Sequence, residues 1–336
     1  MPVLVWHAVS SAGPARCHQA ACLIDDTLYV HGGLPSSLSS ARPSNSLHSY
    51  KFALDEWTDL TSSRSPFLSH HTAVPYKKTH VLLIGGWNGK RRTSNVHTYD
   101  TVEKSWHETK RLEDFPPGAG LSSHTSTRLA ADDAILVTGR EGGLRTQRRS
   151  GGAFVVSERR RKFFYDDHST SSTASRSGHT ATPVGRDRVV LYGGRADNPI
   201  EYWTRVFVAA EYDVVDVSRF FEFFGKLRKD PGCRKYHVAV PGSSPEGIFV
   251  HGGETFDGRV KGATSDLIYI DFSDSGITWY TVNVNEAVRR AGHVGFVRKG
   301  AFYIFGGYDG SGKSCSDLLQ LDCKRDKING TPQSNT

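Results

Sequence analysis

Five times along this chain a short apolar run ends in a pair of glycines: Leu28-Tyr-Val-His-Gly-Gly33, Val81-Leu-Leu-Ile-Gly-Gly86, Val189-Val-Leu-Tyr-Gly-Gly194, Ile248-Phe-Val-His-Gly-Gly253 and Phe302-Tyr-Ile-Phe-Gly-Gly307. A sixth run, Ile135-Leu-Val-Thr-Gly-Arg140, keeps only the first glycine. The first glycines fall at 32, 85, 139, 193, 252 and 306, with spacings of 53, 54, 54, 59 and 54 residues. A period of this kind means one supersecondary unit repeated along the chain, each copy burying its apolar face against the next.

The content of each unit can be read from its apolar segments. A histidine stands 13 to 15 residues before each first glycine, at His18, His71, His124, His179, His237 and His293. It opens one strand, and the glycine pair closes a second. A third apolar segment follows, as in Val96–Asp100, Leu267–Asp271 and Leu318–Asp322, and then a tryptophan strand beginning at Trp57, Trp106 or Trp279. Four strands per unit make the blade of a β-propeller. The glycines supply positive φ where the chain turns sharply after the second strand, and the tryptophans supply apolar area between blades. The last unit has no tryptophan strand of its own, but Trp6-His-Ala-Val9 reads like one. The N-terminal strand is therefore expected to complete the last blade and close the ring, removing exposed edges.

Composition agrees with an all-β reading. Glycine occurs 34 times and methionine once, a balance that favours tight turns and short strands over helical bundles. One propeller is expected over residues 1–323, with residues 3–10 completing blade six, and a polar, disordered tail over 324–336. Five cysteines form no Cys-x-x-Cys pair and are an odd number, so reduced thiols are expected rather than a disulfide framework or a four-thiolate zinc site. The opening residues show neither a basic n-region nor a sustained apolar h-region, and no 18-residue apolar run occurs. A soluble, cytoplasmic protein is the expectation, with cytoskeletal association or a nuclear location left open.

The unit resembles the Kelch repeat, at about 50 residues per copy, and the resemblance covers roughly residues 3–323. It implies a six-bladed propeller used as a protein-binding platform, with no catalytic residues. Two departures stand out. Blade three has Phe163-Phe-Tyr165 where a tryptophan is expected, and Arg140 replaces its second glycine. Blade four carries the longest spacing and holds residues 216–229, where Phe220, Phe224 and Leu227 recur at helical spacing behind Asp216. A short amphipathic helix is read there, with a fourth strand through Phe220 to Phe224 as the alternative. The Ser/Thr run from His168 to Arg176 reads as a connector between blades three and four.

Several motifs suggest chemistry that their context does not support. Gly307-Tyr-Asp-Gly-Ser-Gly-Lys313-Ser314 matches a nucleotide-binding P-loop literally, but such a loop needs a helix after it. The following Asp317-Leu-Leu-Gln-Leu-Asp322 is in register with third strands, so no nucleotide is expected. The register histidines lie one per blade, spread around the ring instead of converging on one ion, and are read as structural. No His-Glu-x-x-His or Gly-x-Ser-x-Gly occurs. No catalytic residue, metal or cofactor is assigned.

A partner surface follows from strand direction. In an antiparallel blade the first strand starts, and the second ends, at one edge. Residues just before each histidine and just after each glycine pair therefore share one mouth. Those positions supply Arg16, Arg176, Arg234 and Arg290, then Lys90, Arg91, Arg92, Arg145, Arg148 and Arg149, with Trp87 beside them. Guanidinium groups carry fixed charge and grip carboxylates bidentately, so the partner expected is an acidic peptide or protein surface. The alternative for these arginines is solvated loop residues paired with Glu141, Asp197 or Glu254. A net charge of +7 and the lack of an aromatic stacking platform weigh against nucleic acid. A non-catalytic adaptor or scaffold is the leading reading. A ubiquitin-ligase substrate receptor and a structural subunit of a cytoskeletal assembly are its alternatives, with an enzyme or nucleic-acid binder behind them.

Overall fold

A computed structural model describes residues 3–37, 40–115, 119–129, 134–139, 153–167, 176–185, 188–196, 205–210, 213–216, 234–242, 247–256, 260–273 and 276–322. Those residues form strands and turns, with no helix among them. They divide into two compact units, one of residues 16–177 and 196–199, the other of residues 1–15, 178–195 and 200–336.

The 16–177 unit begins with a four-stranded antiparallel meander, Ala20–Ile24, Thr27–His31, Leu47–Lys51 and Glu56–Asp59. The next runs Thr72–Tyr76, His80–Ile84, Asn95–Asp100 and Ser105–Trp106. A third is Thr125–Arg128, Ile135–Thr138, Ala153–Arg159 and Lys162–Asp167. Lys110–Glu113 joins the last two, antiparallel to Asn95–Asp100 and parallel to Lys162–Asp167. In the other unit the meanders are Thr180–Val184 to Asp213–Asp216, then Val238–Pro241 to Gly276–Thr281, then Val294–Arg298, Ala301–Phe305 and Leu318–Asp322. Trp6–Ser10 pairs with Leu318–Asp322, Trp6 opposite Leu321, and supplies the fourth strand of that last sheet.

Strand patterns follow from which faces are covered. Ala20–Ile24 alternates, with Ala20, Cys22 and Ile24 buried on one face and Ala21 and Leu23 half-buried on the other. Val81–Ile84 is buried at every residue, since sheets pack on both its faces. The core consists of such inter-sheet layers. Cys22, Leu47, Val81, Leu83 and Trp106 fill one in the 16–177 unit, and Trp6, Phe249, Tyr269, Phe302 and Leu321 fill one in the other.

The glycine pairs are explained by close approach as well as by turning. Gly32, Gly85, Gly193 and Gly252 have φ between +64° and +69°. A Cβ on any of them would lie within 3.0 Å of Cε1 in the next sheet's histidine: His71, His124, His237 or His293 in turn. The second glycines make room in turn for a side chain of their own sheet: a Cβ on Gly86, Gly253 or Gly307 would meet Cβ of His71, His237 or His293 within 2.8 Å. Only glycine meets both conditions. The histidines then bond backwards. Nε2 of His71 meets Nδ1 of His31 at 3.0 Å, and Nε2 of His293 meets Nδ1 of His251 at 3.1 Å. Nε2 of His124 and of His237 meets the hydroxyl of Thr72 and of Thr180, at 3.1 and 3.0 Å.

Gln19, and not His18, holds the register position in the first sheet. A Cβ on Gly33 would meet Cβ of Gln19 at 2.9 Å, as Gly86 would meet His71. His18 instead matches the residue before each register histidine, and that residue has positive φ: 54° at His18, 53° at His70, 53° at Ser123 and 58° at Tyr236, with glycine at 178 and 292. These residues link sheets through the backbone. His70 N–H donates to His18 O and Ser123 N–H to His70 O. In the other unit Tyr236 N–H donates to Gly178 O and Gly292 N–H to Tyr236 O.

The tryptophan positions lock the same layers. Trp106 lies edge-on to His31 at 5.6 Å and donates Nε1–H to Ser65 Oγ at 3.0 Å. Trp6 takes the equivalent place against His251, at 5.2 Å. Phe163 stands in for a tryptophan in the third meander, fully buried with its ring 6.0 Å from Tyr76. Of the segment read as a helix, Asp216 ends a strand and residues 217–229 lie outside the described residues, as do residues 168–175 of the Ser/Thr run and the tail.

Candidate functional site

At one end of four of the sheets the residue after the glycine pair bridges back to the chain just before the first strand. The pairs are Cys17 with Leu34, Ser69 with Trp87, Lys235 with Glu254 and Ala291 with Tyr308. This brings the two sets of candidate residues together sheet by sheet. What differs is how much of their charge is already used.

In the unit that contains residues 200–336 the charges are largely matched. Arg234 is buried, and its guanidinium donates to Gly252 O at 3.1 Å and to Asp266 Oδ2 at 3.3 Å. Arg290 donates to Asp317 Oδ2 at 2.5 Å and to Arg289 O at 2.8 Å. Asp266 and Asp317 each directly precede a third strand, so the arginine three residues before the register histidine ties the start of its own sheet to the loop that enters the third strand. Glu254 accepts from Tyr308 OH at 2.5 Å and pairs with Lys235 Nζ at 2.8 Å. Arg234 and Arg290 thus serve the fold, and their guanidinium groups are committed to internal acceptors.

The P-loop-like segment folds around Asp309. Its Oδ1 accepts from Ser311 N–H, Ser311 Oγ–H and Lys313 N–H, at 2.8, 2.6 and 3.1 Å. Ser314 bridges to Tyr308, and the strand Leu318–Asp322 follows where a phosphate-binding loop needs a helix. These bonds hold the Asp309 carboxyl below its ordinary pKa, the Ser311 hydroxyl contributing most.

In the 16–177 unit the picture changes. After Gly86 the chain makes a compact turn in which Asn88 Oδ1 accepts from Lys90 N–H at 3.0 Å and Arg91 N–H at 2.9 Å, an Asx turn that fixes the loop. Gly89, at φ +89°, completes it. Trp87 is half-buried, bridged on one side to Ser69 and on the other to Arg92. Beneath, Gly120 lets Leu121 and Thr93 pair, since a Cβ there would lie 2.4 Å from the Arg92 carbonyl carbon. Lys90 and Arg91 project exposed from this support, and Arg92 is half-buried. Arg16 is half-buried and Arg176 buried, each with interactions of its own. Arg145, Arg148 and Arg149 lie outside the described residues.

A second group was missed from the sequence. Where His80–Ile84 begins and Asn95–Asp100 ends, His80 and Asp100 are cross-strand partners, and His107 follows the next strand. Their side chains converge: Nε2 of His80 lies 3.3 Å, and Nε2 of His107 4.0 Å, from Asp100 Oδ2. No local motif marks these residues, because it is the hairpin register that brings 80, 100 and 107 together. This group sits at the end of its sheet opposite Gly85 and Gly86.

The buried histidines that join the sheets hold neutral rings. Burial pushes the pKa of His31, His124, His237 and His251 down to about 3. The bonding agrees with this. His251 donates Nε2–H to Val288 O at 3.0 Å, and a neutral ring leaves its Nδ1 to accept from Nε2 of His293.

Comparison with known proteins fits this geometry. Residues 3–143 match the model of the KLHDC2/KLHL20/DRC7 Kelch-repeats domain. The chain is 30% identical to Kelch domain-containing protein 9 of Homo sapiens over 330 residues, covering 93% of each chain. It belongs to the Kelch-repeat family. The mouse Kelch domain-containing protein 9 is 29% identical over 320 residues and 90% of each chain. The human Kelch-like protein 35 is 26% identical over 139 residues, 41% of this chain and 21% of that protein. A solved structure titled "Structure of YjhT" superposes with a TM-score of 0.67 at 14% identity, over 97% of this chain and all of the other, a likeness of fold alone. The fold is a Kelch β-propeller, and membership in the family supports a protein-interaction module. No helix among the described residues is long and apolar enough to cross a membrane.

Proposed function

We propose that this Kelch propeller is a non-catalytic adaptor or scaffold that holds an acidic segment of a partner protein at the Trp87–Arg92 loop. One observation carries the reading. Lys90 and Arg91 are exposed on a turn pre-organised by Asn88 and backed by the half-buried Trp87, whereas Arg234 and Arg290 already bind Asp266 and Asp317. A rigid turn loses little entropy on binding, and an aromatic beside guanidinium and ammonium groups is the composition of an interface anchor. A carboxylate on the partner is the acceptor that a planar guanidinium and a lysine would share. Cys17, Cys22 and Cys315 are thiols outside any disulfide, which supports a reducing, cytoplasmic setting.

The test is fluorescence anisotropy with labelled Glu/Asp-rich peptides, using full-length wild type and the Lys90→Glu/Arg91→Glu variant. Saturable binding that weakens at least about tenfold in the variant supports the reading, since charge reversal replaces attraction with repulsion at a desolvated contact. Equal binding by both proteins, or a single-stranded oligonucleotide that outcompetes every acidic peptide with a steep salt dependence, overturns it.

A further inference from the structure

We propose that His80, Asp100 and His107 form a binding site for a zinc-class divalent cation, with two imidazole nitrogens, one carboxylate oxygen and a fourth position open to solvent. The distances suit such an ion. Four-coordinate zinc with bonds of about 2.0–2.1 Å sets neighbouring ligand atoms roughly 3.3 Å apart. His80 Nε2 and Asp100 Oδ2 are at 3.3 Å, His107 Nε2 and Asp100 Oδ2 at 4.0 Å, and all three ligand atoms fall within 4.8 Å of one another. His107 is 44% exposed, so a small turn of its ring closes the longer gap.

Neighbouring groups aim two of the three ligands. The Thr79 hydroxyl lies 3.0 Å from Nδ1 of His80. With an ion on Nε2, the nitrogen that faces the site, Nδ1 carries the ring proton and this hydroxyl is placed to accept it. Asp100 spends Oδ1 on the turn that follows it, accepting from Val102 N–H at 2.8 Å and Glu103 N–H at 3.0 Å, which leaves Oδ2 for the histidines. The backbone is equally fixed, because His80 and Asp100 are paired across two strands and His107 N–H donates to Thr98 O at 2.9 Å. Ligands on paired strands are held more tightly than ligands on loops.

The donor set selects the class of ion. Two imidazoles with one carboxylate suit zinc, whereas magnesium and calcium prefer all-oxygen sites and copper(I) prefers sulfur. A bound ion would clip the Ser105–Trp106 strand to the hairpin that carries the Trp87 loop at its far end.

The experiment is calorimetric titration of chelator-treated full-length protein with Zn²⁺, repeated with Co²⁺ followed by visible absorption, on wild type, His107→Ala and Asp100→Asn. His107→Ala changes an exposed side chain, and Asp100→Asn keeps the Oδ1 acceptor of the turn, so unchanged circular dichroism is expected for both. One equivalent of zinc in the wild type, weakened at least about tenfold in each variant, is the expected result. The intense visible bands of four-coordinate Co²⁺ should appear in the wild type alone. Zinc should also raise the wild-type melting temperature, and raise that of His107→Ala less. Absence of zinc uptake by the wild type, or equal affinity in all three proteins, overturns the proposal.

Discussion

Gly252→Ala isolates the reason for the repeated glycine pair. Gly252 sits at φ +68°, and a Cβ there would lie 2.3 Å from the carbonyl oxygen of Arg290 and 3.0 Å from Cε1 of His293. The left-handed backbone costs an L-residue about 1–2 kcal/mol. Neither neighbour can step aside cheaply, since Arg290 O accepts Gly253 N–H at 2.8 Å and His293 is bonded to His251. Losing either bond adds about 1 kcal/mol, or up to 3 if a buried donor is stranded. The total is about 2–5 kcal/mol, a large share of the stability of an ordinary domain. Gly300→Ala is the control: φ is +77°, yet nothing lies within 4 Å of its Cβ position, so only the backbone cost of about 1–2 kcal/mol remains. Urea unfolding followed by tryptophan fluorescence, with midpoints and slopes fitted for both variants, gives the comparison. Equal destabilisation of the two would refute the close-approach argument and leave backbone conformation as the whole reason for glycine.

Other outcomes follow from the same contacts. Because His31, His124, His237 and His251 titrate near 3 when folded and near 6.5 when unfolded, their contribution is complete above about pH 6.5 and is lost as pH falls below it. Each costs roughly 1.4 kcal/mol at pH 5.5, so melting temperature measured from pH 8 to pH 5 should be flat and then drop steeply; a flat profile throughout would contradict neutral buried rings. Arg234→Ala should destabilise by about 3 kcal/mol in urea, by removing a buried guanidinium from Asp266 and Gly252 O, and should leave acidic-peptide affinity unchanged. Trp6→Ala should cost about 3–5 kcal/mol through the cavity it leaves between His251 and Phe302; a loss below 1 kcal/mol would mean that the N-terminal strand is not integral to the last sheet.

The parts of the fold legible in the sequence were those fixed by local necessity. A glycine pair at constant spacing marks a place where no side chain fits, and Trp6-His-Ala-Val9 reveals its place because it looks like the tryptophan strands it substitutes for. His18 misled, since it falls at nearly the right distance from Gly32, whereas the pairing of Ala20 with His31 and the close approach of Gly33 to Gln19 show that Gln19 holds the register. Strand direction says at which end of a sheet an arginine should lie, but exposure cannot be read from residue type. Arg234 and Arg91 look alike in sequence and differ because Asp266 stands opposite one of them. The His80–Asp100–His107 group was illegible for a related reason: 20 and 7 residues separate its members, and only hairpin register brings them together.

Partner capture from native tissue, comparing wild type with Lys90→Glu/Arg91→Glu after circular dichroism shows both folded, tests the interaction reading most directly. A discrete set of proteins bearing acidic segments, retained by wild type and lost by the variant, is the predicted result. Identical sets from both proteins would contradict it and move the working surface away from the Trp87–Arg92 loop.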